Sequence, residues 1–235
     1  RELTRVMSNT VIFASLGYLV SWAPIALALM LNELRSKAYR RFVQTVTTFP
    51  NFISWVIVYS LAFQMFSFDG LLSSVLQQWG LISAPISPIA NKEIVYWFQT
   101  LVGMWKGLGW NSIIYMAAIM GVDQELYEAA AVDGANRFHR IWYITLPSVM
   151  PTYIVLMLLA VSSFVGVGFE QYWVFRNNVV SSKLDVIDVY TYNIGLAAMD
   201  YAYGTAIGVL KSVISLIMLF GTNQLAKRVR GNTII

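Results

Sequence analysis

Cysteine is absent from the 235 residues, and His139 is the only histidine. Without cysteine the chain forms no disulfide and has no thiolate ligand, and one histidine does not make a zinc site. Charged residues make up only 12% of the chain, whereas a soluble domain carries about 25%. Strand-like alternation is also scarce, although residues 179–192 allow a short extended segment. These absences exclude a disulfide-stabilised domain and a zinc enzyme, and they favour a membrane protein.

What the chain has instead is apolar length. Hydrophobic residues make up 57%, mean hydropathy is +0.61, and eight tryptophans and thirteen tyrosines suit membrane interfaces. A span needs about 20 predominantly apolar residues, and five stretches qualify, one with Lys106 and another with Lys211 as its sole charge. The sequence therefore predicts an all-α membrane protein, a transmembrane helix bundle. The predicted spans are 9–32, 42–66, 94–119, 148–169 and 205–226.

Lysine and arginine are concentrated on one side of these spans, and the positive-inside rule places that side in the cytoplasm. The cytoplasmic cations are Arg35, Lys37, Arg40, Arg41, Arg137, Arg140, Lys227, Arg228 and Arg230, against Arg1, Arg5, Lys92, Arg176 and Lys183 outside. Five spans with a cytoplasmic C-terminus leave Arg1 outside, so we expect a six-span parent protein with one further span before it. Loops 67–93 and 170–203 are then external, and loop 123–147 is cytoplasmic.

A polar island interrupts the apolar sequence at residues 123–147, with four acids and two arginines. Asp123 is placed to cap a short helix, because its side chain can accept from the unpaired amides of the first turn. Gly134 permits a sharp change of direction, since glycine tolerates backbone angles that other residues avoid. A second helix follows over 136–145, and Pro147 marks the entry to the next span. The island is predicted to be a docking element at the cytoplasmic membrane surface.

The island contains three short strings in a distinctive order. They are Glu128-Ala129-Ala130, Asp133-Gly134-Ala135 and Ile144-Thr145-Leu146-Pro147. Together they resemble the EAA loop, or coupling helix, of binding-protein-dependent ABC importer permeases. The strings ALMLNELR at 28–35, QTVTTFPNFISW at 44–55, WKGLGW at 105–110, IYMAA at 114–118 and FEQ at 169–171 resemble the carbohydrate branch, closest to importers of complex oligosaccharides. Glu170 departs from the pattern, because many relatives carry aspartate there.

The resemblance implies a permease with six spans, its partners and its coupling residues. This chain would pair with a homologous second permease, two ATP-binding subunits and an extracytoplasmic solute-binding protein, and would pass an oligosaccharide across the lipid bilayer of the inner membrane. ATP and Mg would be bound by the partner subunits, with no cofactor on this chain and no nucleic acid. The implied ATPase-coupling residues are Glu128, Ala129, Ala130, Asp133, Gly134, Ala135 and Arg137. Arg137 and Arg140 either pair with acids on the partner or act as positive-inside anchors.

Lys106 and Lys211 lie within predicted spans, where a charge is costly and usually faces a polar cavity or a partner. One interpretation is a substrate passage lined by cations, and with both lysines in it an oligouronate such as alginate would suit better than a neutral sugar. The other is a structural ion pair with Glu170 or Asp200, or snorkelling of Lys106 to an interface.

Aromatic and amide side chains near these lysines are candidates for sugar contacts, because aromatic rings stack on pyranose faces and amides bond to hydroxyls. The alternative is ordinary packing or an aromatic belt at the interface. The predicted passage residues are Trp105, Lys106, Asn111, Tyr115, Glu170, Gln171, Trp173 and Lys211. The glycine pairs 103/107 and 204/208 have the spacing that lets membrane helices approach closely.

A secondary transporter driven by an ion gradient is the alternative function, with Lys106 and Lys211 as coupling groups. It does not require the polar island, and the paired intramembrane carboxylates that would support it are lacking. An intramembrane enzyme is disfavoured because no nucleophile–base pair stands out. Residues 204–212 have the wrong glycine spacing for a phosphate loop. The chain is therefore predicted to be a permease subunit and not an enzyme.

Overall fold

The structure is a computed structural model that describes the backbone of residues 2–230 and the side chains of residues 2–224. The described backbone is helical and contains no strand, which confirms the predicted all-α class. Residues 179–192, where an extended segment was allowed, also fold into helices. Arg1 and the side chains of Lys227, Arg228 and Arg230, used for the orientation, lie outside the described residues.

The helices vary from four to 30 residues in length. They are Glu2–Val20 (α1), Ala23–Asn32 (α2), Lys37–Thr48 (α3), Trp55–Phe66 (α4), Leu71–Gln78 (α5), Val95–Met120 (α6), Gln124–Val132 (α7), Arg137–Arg140 (α8), Leu146–Ser162 (α9), Glu170–Phe175 (α10), Ser181–Leu184 (α11), Ile187–Tyr192 (α12) and Tyr201–Arg230 (α13). Short 3-10 turns cover Phe49–Phe52 and Pro88–Ala90, and π-helical turns cover Ile141–Thr145 and Asn193–Ala197.

Four helical stretches of the described chain are long and apolar enough to cross a membrane, judged by length and composition. They are Glu2–Asn32, Trp55–Gln78, Arg137–Ser162 and Tyr201–Gln224. The predicted span at 94–119 corresponds to α6, which is unbroken over 26 residues but is not among the four. Lys106, Gln99 and Asn111 are polar residues within α6. The fifth span therefore stays a prediction.

The predicted span 42–66 is not one continuous helix. The α-helix α3 gives way to the 3-10 turn Phe49–Phe52, and α4 begins only after Ser54. Pro50 has no N–H to donate to a preceding carbonyl, and the Ser54 hydroxyl accepts the Ile57 N–H at 3.4 Å as the cap of α4. The residues 42–66 are apolar enough for a span, but Pro50 and Ser54 divide them into two helices separated by a turn.

The chain divides into two compact units, each described here by itself. The first takes the segments up to Leu19, Ile53–Gly103 and Ser162–Gly221, and the second takes Val20–Phe52, Met104–Val161 and the segment from Thr222. In the second unit, Ile25 and Ala28 of α2 pack with Tyr115 and Ile119 of α6 and with Val149 of α9. This apolar cluster holds α6 and α9, the helices on either side of the polar island.

In the first unit, the segment 170–203, predicted as an external loop, contains short helices and contributes to the core. Phe175, Leu184 and Val186 are fully buried there. In the sequence these apolar residues are interrupted by charged ones, so the segment was not predicted to contribute to a core. In the structure Asp185 forms ion pairs with Arg5 and Arg176, at 3.5 and 3.0 Å.

The predicted glycine contacts are only partly present. A Cβ on Gly204 would lie 2.6 Å from the Gly195 Cα, whereas one on Gly208 would meet nothing within 4 Å. Gly204 therefore packs against the π-helical turn Asn193–Ala197 within the first unit, and Gly208 has no such contact there.

This difference predicts opposite results for two alanine variants on one helix. We expect Gly204→Ala to destabilise the permease by about 1–3 kcal/mol, because the new methyl group overpacks a backbone contact. Gly208→Ala should be neutral or stabilising by up to about 1 kcal/mol, since alanine is the better helix former. The measurement is the thermal unfolding midpoint of the assembled complex, and equal losses for both variants would contradict the packing at Gly204.

Candidate functional site

The predicted coupling segment, residues 123–147, begins with the capped helix that the sequence indicated. The Asp123 Oδ1 accepts the Glu125 N–H at 3.0 Å, and α7 starts at Gln124. Glu125 stands in the first turn, where a negative charge favours the positive end of the helix dipole. The Tyr127 hydroxyl lies 2.9 Å from the Thr145 hydroxyl. This hydrogen bond ties α7 to the segment that follows the turn.

The α-helix α7 ends just before a glycine, Gly134, that has a left-handed backbone conformation. Its φ is +74°, in the left-handed region that glycine enters at little cost. The Gly134 N–H donates to the Ala131 carbonyl at 3.2 Å, and the Ala135 N–H donates to the Ala130 carbonyl at 2.9 Å. This pair of bonds is the Schellman motif, which satisfies the last carbonyls of a helix. The predicted change of direction at Gly134 is therefore confirmed.

The second part of the segment differs from the prediction. The Asn136 side chain accepts the His139 N–H at 3.0 Å and caps α8. The helix then continues through the π-helical turn Ile141–Thr145 into α9. Pro147 lies inside this continuous helix, so the helix of the next span begins before it, and the membrane entry at Pro147 stays a prediction. One helical stretch, Arg137–Ser162, joins the turn at Gly134 directly to a candidate span.

The coupling segment is exposed along nearly its whole length. No residue of α7 or α8 is buried, and Val132, Phe138 and Tyr143 are 90%, 74% and 77% exposed. Among the described residues, no salt bridge involves the predicted coupling residues Glu128, Asp133 and Arg137. A groove of about 390 Å³ opens beside the turn, and its lining includes Asp133, Gly134, Ala135, His139, Arg140 and Tyr143. The segment thus presents apolar and charged side chains to a partner.

Lys106 is a buried structural cation. Its side chain is 8% exposed, and its Nζ donates to the Asn51 and Pro50 carbonyls at 2.8 and 3.2 Å. These carbonyls lie in the 3-10 turn that follows α3, where the main chain has lost its helical partners. In this structure Lys106 therefore donates hydrogen bonds to the backbone of the second unit, and its place in a substrate passage stays a prediction.

Lys211 forms an ion pair with Asp188, on α12 of the same unit. The structural interpretation of Lys211 is thereby supported, but the proposed partners Glu170 and Asp200 were wrong. The Asp200 Oδ1 instead accepts the Tyr203 N–H at the start of α13. Asp188 was missed because it lies in a supposed external loop. The sequence did indicate that such a partner exists, because a lysine inside a span usually pairs with an acid elsewhere in the protein.

The predicted sugar-binding cluster around Glu170 is mostly engaged with the protein itself. The Gln171 Nε2 donates to the Gln99 carbonyl and to the Gln99 Oε1, at 2.8 and 2.9 Å. The Trp173 ring packs on Phe169 and Tyr192, with ring centroids 5.5 and 4.8 Å away. Glu170 remains exposed. Of the three, Glu170 alone has a side chain largely open to solvent, and Gln99 is a buried partner that the sequence did not suggest.

Two further groups complete the predicted passage residues and their surroundings. In the second unit Trp105 and Asn111 are exposed on α6, whereas Tyr115 is buried in the apolar cluster. In the first unit Tyr172 is buried on the same helix as Glu170, and burial, with a contribution from the Asp188 carboxylate, raises the pKa of its hydroxyl. The predicted set is thus divided between exposed, paired and buried side chains.

A family model described as binding-protein-dependent transport system inner membrane component matches residues 20–231. This match covers the coupling segment and most of the chain. The chain belongs to this family. It is a membrane permease and not an enzyme, because its relatives are permease subunits, and in the general arrangement of the family separate subunits hydrolyse ATP.

Individual relatives support the same assignment for this permease. Protein LplB of Bacillus subtilis (strain 168) is 42% identical over 97% of this chain and 71% of its own length. The polygalacturonan/rhamnogalacturonan transport system permease protein YteP of the same organism is 37% identical over 95% of this chain and 70% of its own. A crystal structure of the bacterial alginate ABC transporter, in complex with an alginate pentasaccharide-bound periplasmic protein, matches with a TM-score of 0.93 and 34% identity. That match covers the whole of this chain and 81% of the other.

Proposed function

We propose that this permease passes an oligosaccharide from an extracytoplasmic binding protein across the inner membrane, with ATP hydrolysed by partner subunits. The observation that carries the proposal is the exposed coupling segment, in which a Schellman turn at Gly134 leads directly into a candidate span. A movement imposed on such a segment is transmitted along the helix, because no flexible linker separates the surface from the span. An ATPase subunit is the partner that this arrangement suits.

The residues proposed to contact that ATPase lie on α7, on the turn and at the start of α8. Glu128, Asp133 and Arg137 are exposed there, and Val132 adds an apolar side chain. Apolar anchors surrounded by charged groups are typical of specific protein interfaces. Ala129, Ala130 and Ala135 have small side chains, so a partner can approach the backbone closely. Arg140 also has a role in its own chain, since the Thr145 hydroxyl contacts its carbonyl at 3.4 Å.

A second homologous permease, two ATP-binding subunits and a solute-binding protein are the proposed partners, and ATP and Mg are proposed to bind to the ATP-binding subunits. The support comes from the family and from the alginate transporter, which was crystallised with its periplasmic protein. We also propose that the C-terminus is cytoplasmic, because the described cations of the α2–α3 connection and of the coupling segment then lie on the inner side.

The passage is proposed to include a cavity of about 430 Å³ in the first unit. Its lining comprises Ser162, Ser163, Gly166, Lys211, Ser215, Leu216 and Leu219. Serine hydroxyls and a lysine ammonium can exchange hydrogen bonds with sugar hydroxyls. The pairing of Lys211 with Asp188 reduces the net positive charge at this wall. Two uncompensated lysines therefore no longer support an acidic sugar, and a uronate-containing substrate rests on the similarity to YteP and to the alginate transporter.

The test is uptake by vesicles that contain the assembled complex, with the binding protein outside and ATP inside. A galacturonan trisaccharide and an arabinan trisaccharide serve as the acidic and neutral probes. We expect ATP-dependent uptake of at least one probe that persists when ionophores collapse the ion gradients. Uptake that needs the gradient and not ATP would instead support the secondary transporter, and stronger uptake of the galacturonan would support the acidic substrate class.

A further inference from the structure

The α-helix α9 ends inside a stretch that carries no charge. Residues 141–169 contain no charged side chain, yet α9 stops at Ser162 and α10 begins only at Glu170. Irregular backbone at membrane depth is tolerated only where protein or a water-filled cavity satisfies its polar groups. The residues between the two helices, 163–169, are called the break segment below. Ser163 and Gly166 of this segment line the 430 Å³ cavity.

A carboxylate from another helix bonds to the main chain of the break segment. The Asp188 Oδ2 accepts the Gly168 N–H at 3.2 Å, and Gly168 has a φ of +107°. The other oxygen, Oδ1, accepts a hydrogen bond from the ammonium group of Lys211 on α13. The two side chains are 18% and 30% exposed. Asp188 therefore joins the break segment and α13 through one side chain.

Lys211 also packs directly beside the break segment. A Cβ added to Gly166 would lie 3.4 Å from both the Cε and the Nζ of Lys211. The end of the Lys211 side chain is therefore close to the main chain at Gly166, on the wall of the cavity. The cluster of Arg5, Arg176 and Asp185 is a separate set of ion pairs, so the Lys211 charge is balanced locally by Asp188.

We propose that Asp188 is a positioning residue for transport, which fixes both the break segment and the Lys211 ammonium in one arrangement at the cavity wall. Asp188 acts through Gly168 and Lys211, and no contact with the sugar is assigned to it. The proposal rests on the transport function proposed above, and it adds a residue that the family resemblance did not supply. Its structural part is testable without knowledge of the substrate.

The absence of cysteine from the chain makes a clean reporter available. Ser163→Cys introduces the only thiol among these 235 residues at an exposed position of the break segment. The assembled complex is labelled with a maleimide in the absence of nucleotide, and this subunit is separated from its partners by electrophoresis. Labelling rates are compared for D188N, K211M and the double variant D188N/K211M. The matched control is D200N, because Asp200 is an exposed acid that caps only its own helix.

We expect D188N and K211M each to change the labelling rate about tenfold, and the double variant to show no larger change, because residues that act as a pair are not additive. D200N should label like the parent. The double variant also guards against misfolding, since removing one member of a partly buried ion pair is worse than removing both. Labelling of all three variants at the rate of D200N would overturn the proposal.

A second readout separates positioning from sugar recognition. Sugar-stimulated ATP hydrolysis is measured per assembled complex, with the galacturonan and arabinan trisaccharides as probes. Positioning predicts that kcat falls about tenfold in D188N while the apparent KM changes by less than about twofold, for whichever probe is transported.

A KM increase confined to the acidic probe would overturn the proposal in favour of direct recognition by Lys211. A lower yield of assembled complex with an unchanged kcat per complex would mean that Asp188 acts only in folding, and would overturn the proposal. Failure of uptake for both probes, with the labelling changes intact, would count against the proposed function alone.

Discussion

Replacing Gly134 by valine is expected to abolish the stimulation of ATP hydrolysis by the loaded binding protein. Gly134 has a φ of +74° and open space around its missing side chain, so the cost of substitution is conformational and not a clash. A left-handed residue with a Cβ costs about 1–2 kcal/mol, and a β-branched side chain makes the position a true outlier. About 1.4 kcal/mol already changes an equilibrium tenfold. The strain would disfavour the turn that joins α7 to the helix entering the span.

Two control variants make this expectation specific. Gly134→Asn keeps most of the stimulation, because asparagine tolerates the left-handed region. Gly80→Val introduces the same kind of strain elsewhere, since Gly80 has a φ of +69° and equally open surroundings. It should lower stability without loss of coupling. The measurement is stimulated ATP hydrolysis in complexes shown by co-purification to be assembled. Normal stimulation in Gly134→Val would remove the coupling role from residues 123–147.

The coupling segment was predictable because its geometry depends on local chemistry. Asp123 caps the helix that follows it, and Gly134 supplies the backbone angle that ends that helix. Both interactions connect residues only a few positions apart, so the order of residue types is enough to indicate them. The entry point of the next span was less predictable. The helix accepts Pro147 one residue after the start of α9, where the preceding π-helical turn continues the helix without a break.

The partners of the charged residues were not predictable in the same way. Lys106 reaches carbonyls that are more than fifty positions earlier in the chain, and Lys211 meets Asp188 from a different helix. Such contacts depend on which helices pack together, which apolar composition does not determine. The contacts of the two lysines therefore leave the acidic substrate class a prediction. Each lysine had a counterpart elsewhere in its own unit, so the presence of the charges did not establish their function.

The segment 170–203 illustrates the same limit for the fold. Its position between two predicted spans suggested an external loop, and in the structure Asp185 forms ion pairs with Arg5 and Arg176, while Val186 beside it is fully buried. Buried charges are tolerated where partners compensate for desolvation. Once these pairs are recognised, the buried residues Val180, Leu184, Val186 and Val189 stand out as the part of the segment that packs in the apolar core.

Gly109→Ala is expected to cause the largest loss of stability among single substitutions in the second unit. A Cβ at Gly109 would lie 2.3 Å from the carbonyl carbon and oxygen of Thr47 and 2.4 Å from the Thr48 nitrogen. All three are backbone atoms, so α6 would have to move away from the end of α3. Lys106 lies three residues earlier on α6, and its bonds to the Pro50 and Asn51 carbonyls would lengthen with that movement.

The expected cost combines two effects. Overpacking a close contact costs about 1–3 kcal/mol, and weakening a hydrogen bond from a charged donor costs about 1.5–3 kcal/mol. Together they can reach the lower end of the whole stability of a typical domain, which is about 5–15 kcal/mol. We therefore expect Gly109→Ala to lower the thermal unfolding midpoint sharply or to prevent assembly of the complex. The measurement is the yield and unfolding midpoint of the complex after purification at low temperature.

Gly107→Ala is the matched control for this prediction, on the same helix and two residues away. Its Cβ would approach only the Asn111 side-chain amide, at 3.1 Å, and this amide can rotate without moving the backbone. We expect Gly107→Ala to assemble and to unfold near the parent temperature. If both variants behaved alike, the contact of α6 with the end of α3 would not limit stability. Lys106 would then regain an interpretation beyond its structural bonds, because a looser packing would leave its ammonium able to turn elsewhere.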